Sequence, residues 1–229
     1  MKKLLKLLLL LLLLLLNISV YFIYNSTKNS VYTITSLGDG VSVGINSYAI
    51  DDYSYADYYR DFKLKEKEKV KLIDSYSKKE MSITSLTEKI KTDNKLKEDL
   101  NSSNILFLTI GYNDLLYKIE LEENLTNSRL LSITREIDKS YNKLLKEIRK
   151  YYKRKIIVVG YFKSNKDDYY VNKGIKELNN ILSKNSDVIF IETYNLLNNR
   201  KEYFSNPNSY YPNIKGYELI GKSIIDTVK

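Results

Sequence analysis

The chain has 229 residues, a net charge of +9, and neither Cys nor His. Those two absences exclude disulfides, thiolate and imidazole metal sites, a lipidated cysteine anchor, and the side chain that most often serves as a base near neutral pH. A hydrophobic share of 43% beside 28% charged residues is that of a globular protein with one sizeable core.

No metal or cofactor is expected, since a zinc site would have to be built from carboxylates alone. Lys2, Lys3, Lys6 and Lys28 supply four of the nine net positive charges. The remaining lysines alternate with Glu, as in KLKEKEKVK (63–71), and read as a solvated helical surface rather than a nucleic-acid patch. The 22 tyrosines accompany an abundance of Lys, Asn and Ile. Coding from AT-rich DNA gives that composition, so tyrosine richness alone carries no functional weight.

The N-terminus opens with the basic segment MKKLLK (1–6), expected to be cytoplasmic. An apolar run of 18 residues (7–24) follows, containing ten consecutive leucines and broken only by Asn17 and Ser19. As a helix it would be about 27 Å long, enough to span a bilayer core. Lysines before the run and none within it would keep the N-terminus inside and send the rest of the chain out. Bulky Tyr21, Phe22, Ile23 and Tyr24 stand where a signal peptidase site would need small residues. An uncleaved transmembrane signal anchor is therefore preferred to a cleaved signal peptide. NSTKNS (25–30) reads as a short linker to a domain covering 31–229.

Within that domain, apolar strand-length runs alternate with helical patterns. The strands are expected at 31–37, 70–76, 105–111, 155–162 and 188–194. Residues 131–152 repeat Ile133, Ile137, Tyr141, Leu144, Leu145 and Ile148 at steps of three and four, the period of an amphipathic helix. Shorter helices fit 174–182 and 217–228. The alternation predicts a three-layer α/β/α domain on a five-stranded parallel sheet of order 2-1-3-4-5, flavodoxin-like, with functional loops at the carboxyl ends of the strands.

Three stretches fall at those strand ends. S-L-G-D-G-V-S-V-G (36–44) follows the first strand, and S-Y-A-D-Y (54–58) follows it in turn. T-I-G-Y-N-D (109–114) follows the third. N-P-N-S-Y-Y-P-N-I-K-G-Y (206–217) precedes the last helix. Together they resemble the SGNH (GDSL-type) hydrolases, whose motifs are G-D-S-x-(S/T)-x-G, G-x-N-D and D-x-x-H-P-N-x-x-G-Y. Gly38, Asp39, Ser42, Gly44, Gly111, Asn113, Asp114, Pro212, Asn213, Gly216 and Tyr217 match.

The resemblance implies an esterase scaffold with its triad missing. Gly40 stands at the nucleophile position, Tyr211 at the histidine position, and Asn208 three residues earlier, where a carboxylate would orient the base. A glycine has nothing to ionise, and a phenol with a reference pKa near 10 is a poor base at neutral pH. No glycine lies at 74–85 to serve as the family's second oxyanion donor.

The domain is accordingly expected to be a pseudoenzyme at the cell envelope. Asp39, Gly40, Gly111, Asn113 and Tyr211 are its candidate ligand-binding residues, with Asn113 reaching into the old oxyanion site. The expected partners are the membrane, through the N-terminal helix, and an acyl or glycan ligand or an envelope protein, with no nucleic acid. The alternative is an active esterase with non-standard residues. It would draw on Ser36, Ser42 or Tyr211 as nucleophile, Asp39 or Asp114 as carboxylate and Lys215 as base.

Overall fold

The computed structural model describes the backbone of residues 2–28, 30–67, 69–163, 168–198, 200–206 and 209–228; the side chains of 2–5, 7 and 22–28 are outside the description. Five strands, β1 (Tyr32–Gly38), β2 (Val70–Ser77), β3 (Ile105–Thr109), β4 (Ile156–Val159) and β5 (Val188–Ile191), form one parallel sheet in the order 2-1-3-4-5. This is the predicted order. Each residue of β3 and β4 is buried, as their unbroken apolar sequences require of strands covered on both faces.

The helices α2 (Gly40–Val43), α3 (Tyr55–Leu64), α4 (Ile83–Thr92), α5 (Asn94–Ser102), α6 (Tyr112–Glu120), α7 (Asn127–Tyr151), α8 (Tyr169–Ser183) and α9 (Ile214–Val228) connect and cover the strands. Right-handed crossovers divide them. The first connection runs outward to β2 and puts α3 beside α9 on one face. The rest run the other way, so α4, α6 and α8 pack with α7 on the opposite face. The periodic apolar residues of α7, from Ile133 to Ile148, are buried against the sheet. Sequence-encoded caps start these helices. Ser54 and Asp57 form a reciprocal capping box on α3, while Thr126 and Asp168 cap α7 and α8.

One expectation needs correction. Residues 63–71 are not one helical surface. α3 ends at Leu64, Lys63 pairs with Glu66 at 2.7 Å in the closing turn, and Val70 and Lys71 already belong to β2. Pairing with β1, Tyr32 to Val70 and Ile34 to Leu72, outweighs the local charge alternation.

At the N-terminus the expected span is described only in part. The run 7–24 is helical within α1 (Lys2–Lys28), with large apolar side chains exposed from Leu8 to Tyr21. Among the described residues, however, no helix is long and apolar enough to cross a membrane. Leu7 and residues 22–24, which would complete the expected span, lie outside the described side chains. The helix also continues to Lys28, into the stretch read as a linker.

Candidate functional site

The turn after β1 is built from its own motif. Gly38 has φ +147°, and a Cβ there would overlap the carbonyl oxygen of Thr109 on the neighbouring strand. Only glycine lets the two strands pass so closely. Asp39 N–H donates to that same carbonyl at 2.9 Å. The Asp39 carboxylate then caps α2, accepting from Val41 N–H at 3.2 Å. Ser42 Oγ donates to the Asp39 carbonyl at 2.6 Å, and Gly44, at φ 84°, closes the short helix. The matched residues of this stretch thus all have conformational duties.

Gly40 and Tyr211, from opposite ends of the domain's sequence, meet here. A Cβ on Gly40 would lie 2.8 Å from Tyr211 Oη, 3.1 Å from its Cε1 and 3.0 Å from Ile45 Cδ1. The phenol occupies the space into which a side chain at position 40 would project. Its backbone is fixed. Tyr211 N–H donates to Ser209 Oγ at 3.0 Å, and its carbonyl accepts from Ser209 Oγ at 2.7 Å and Ser47 Oγ at 3.0 Å. Burial pushes the Tyr211 phenol above its ordinary pKa, with the nearby Asp39 adding to the rise. Below it, Tyr217 Oη donates to the Ile45 carbonyl at 2.8 Å. Asn213 Oδ1 accepts from Gly216 N–H at 3.1 Å, and a Cβ on Gly216 would lie 2.6 Å from Pro212 Cβ. Pro212, Asn213 and Gly216 therefore shape the turn into α9. Asn208 lies outside the described residues.

The third segment does something the sequence reading did not anticipate. Gly111, at φ 121°, starts α6. The Asn113 amide donates one N–H to the Lys79 carbonyl at 2.7 Å and the other to the Met81 carbonyl at 2.9 Å. Asp114 accepts from Ile83 N–H at 3.0 Å at the start of α4. Burial, the largest influence on Asp114, holds its carboxyl above the usual range. Both residues staple the loop between β2 and α4. The Asn113 donors are spent there and are not left over for an oxyanion.

Behind Tyr211 lies a cluster of phenols. Tyr161 Oη donates to the Asp39 carboxylate and accepts from Tyr112 N–H at 3.3 Å. The Tyr112 and Tyr161 rings stack at 5.4 Å, and Tyr210 meets Tyr112 edge-on at 6.5 Å. Asn179 brackets Tyr161, donating to its carbonyl at 2.6 Å and accepting its N–H at 2.8 Å. The Tyr112 hydroxyl is buried without a hydrogen-bond partner among the described residues.

Asp39 is only 1% exposed, and burial raises its pKa to about 7 against the opposing pull of the Tyr161 and backbone hydrogen bonds. Tyr112 and Tyr161 were missed as site residues because tyrosine was discounted by composition. Their positions, within G-Y-N-D and directly after the Gly that follows the fourth strand, were the available signal.

Ser36 is fully buried in β1, Ser42 has its hydroxyl engaged, and both candidate carboxylates bind backbone N–H groups. No group of three or more acidic residues that could hold a metal ion occurs among the described residues.

No family model matches this sequence, and no curated protein does. Solved structures do match. The lipase Lip_vut3 from a goat rumen metagenome superposes with a TM-score of 0.73 at 19% identity, covering 86% of this chain and 97% of that one. Axe2, an acetylxylan esterase from Geobacillus stearothermophilus, gives 0.62 at 13% identity over 87% and 95%. A lipase/acylhydrolase from Enterococcus faecalis gives 0.57 at 16% identity over 85% and 94%. Catalytic mutants of Axe2 replace a serine, an aspartate and a histidine. At these identities the likeness carries the fold alone: the three-layer domain on its five-stranded parallel sheet is the fold shared by these lipases and esterases.

Proposed function

We propose that this chain is a catalytically inactive member of the SGNH/GDSL hydrolases, tethered by its N-terminal helix to the outer face of the cell membrane and serving there as a binding or structural module. The observation that carries the reading is the phenol of Tyr211 standing 2.8 Å from where a side chain on residue 40 would begin. A serine nucleophile would need that space, and a base would need to leave it open. The absence of His from the chain and the engagement of both Asn113 donors point the same way. Without nucleophile, base and oxyanion donor together, acyl transfer has no route through this turn. The partner of such a module is an acyl or glycan group, or a protein of the envelope, and not nucleic acid.

The test is chemical. The full chain in detergent micelles should neither hydrolyse p-nitrophenyl acetate or butyrate nor take up a fluorophosphonate label. A stoichiometric adduct on any serine would overturn the inactive reading and favour an esterase with unconventional residues. For the tether, the chain should stay with the membrane through a carbonate wash and remain open to protease added to intact cells. A product beginning near residues 25–30 in the medium would show a cleaved signal instead.

A further inference from the structure

A second hollow lies at the carboxyl ends of β4 and β5, outside the Gly40–Tyr211 contact and sharing none of its residues. It is a groove of about 590 Å³ between the start of α8 and the segment after β5. Three lysines line it, Lys163, Lys173 and Lys176, with two tyrosine rings, Tyr169 and Tyr194, and one carboxylate, Glu177. Past Lys176, Glu177 and Tyr194 it continues along α8 into a further hollow of about 580 Å³.

Several lysines on other helices pair with acids one turn away, as Lys91 does with Glu88, Lys95 with Asp99 and Lys222 with Glu218. Among the described residues, none of the three groove lysines forms a salt bridge. Lys173 sits one turn before Glu177, the spacing for such a pair. Its ammonium instead donates to Asn127 Oδ1 at 2.8 Å and stands 5.7 Å from the Tyr169 ring. Lys176 lies 5.2 Å from the Tyr194 ring. Lys173 and Lys176 are therefore held beside aromatic faces rather than neutralised, and stay available to an anion. Tyr169 is 63% exposed, so its ring can meet a ligand as well as its lysine.

We infer that this groove binds an anionic oligosaccharide. Its carboxylate or phosphate groups would meet Lys163, Lys173 and Lys176, and its ring faces would lie against Tyr169 and Tyr194. The elongated shape suits several sugar units in a row. Three lysines interrupted by Glu177 are too few for the phosphate track that nucleic acid requires. The inference does not depend on whether the domain is catalytic, so an esterase result would leave it standing.

The test is calorimetric titration of the full chain in neutral detergent with hexagalacturonate, and with three controls: uncharged maltohexaose, inorganic polyphosphate and oligothymidylate. Hexagalacturonate should bind at least tenfold more tightly than each control. Lys173→Ala/Lys176→Ala should weaken it at least tenfold, and Tyr194→Ala severalfold. Lys139→Ala/Lys146→Ala, two exposed lysines of α7, should leave it unchanged. Failure of hexagalacturonate to bind would overturn the inference. So would equal or tighter binding of polyphosphate or oligothymidylate, or equal losses from the α7 and α8 lysine pairs.

Discussion

The sheet ends in two different ways along one rim. Where β1 and β3 meet, the strand order reverses, and doubly wound folds open a ligand crevice at that switch point. Here the space beside Gly40 is taken by Tyr211, with Tyr161, Tyr112 and Tyr210 clustered around the neighbouring Asp39. Beyond β4 and β5 the rim is open, and Lys173 and Lys176 there stand against tyrosine rings rather than acids. The same residue type serves opposite ends. Half-buried against a glycine, Tyr211 fills the space of a side chain; exposed beside a lysine, Tyr169 leaves its ring open. The difference teaches that fold-level likeness to an esterase locates a crevice but does not say whether it is still a crevice.

Substitutions should separate the two regions by size of effect. The largest is expected at Gly38→Ala, where a methyl would overlap the Thr109 carbonyl in a backbone conformation that L-residues avoid. Unfolding in urea should show a loss of about 4 kcal/mol or more, or no folded protein at all.

Asp39 should come next, through pH. Its folded pKa, about 7, lies above the ordinary carboxylate value, so the folded state disfavours the charged form. The stabilising contribution is full below about pH 4 and is lost as pH rises through 7, on the order of 4 kcal/mol. Asp39→Asn should flatten that decline, read from urea midpoints at pH 4 to 8. Parallel curves for the two proteins would mean that Asp39 is not held in this environment.

Tyr161→Phe removes the hydroxyl that donates to the buried carboxylate and should cost about 1–3 kcal/mol. In the open region the effect should nearly vanish. Lys173→Ala/Lys176→Ala should change stability by no more than about 0.5 kcal/mol. A larger loss would mean that the groove, too, is a structural contact.

Much of the scaffold could be read from residue patterns. Apolar runs such as 105–109 and the three- and four-residue steps of α7 depend only on local periodicity, and their alternation yields the sheet order. The motif ends were legible because glycines and caps act on their own turns. What could not be read were partnerships across long stretches of chain. Asn113 bonds to carbonyls more than 30 residues away, and Tyr161 to a carboxylate 122 residues away. Nothing local to either residue shows which way its side chain is committed. The charge alternation at 63–71 misled for a related reason, since pairing with β1 decides the end of that segment.

The central claim is that Tyr211 fills the place of the nucleophile, and a double-mutant cycle on Gly40 and Tyr211 tests it most directly. Gly40→Ser should destabilise the parent chain by about 1–3 kcal/mol, because its Cβ and hydroxyl must displace the phenol. In a Tyr211→Ala background the same substitution should cost almost nothing, giving a coupling of about 1–2 kcal/mol in chemical denaturation. Equal costs in the two backgrounds would show that the ring does not occupy that space, and the filled-crevice account would fail.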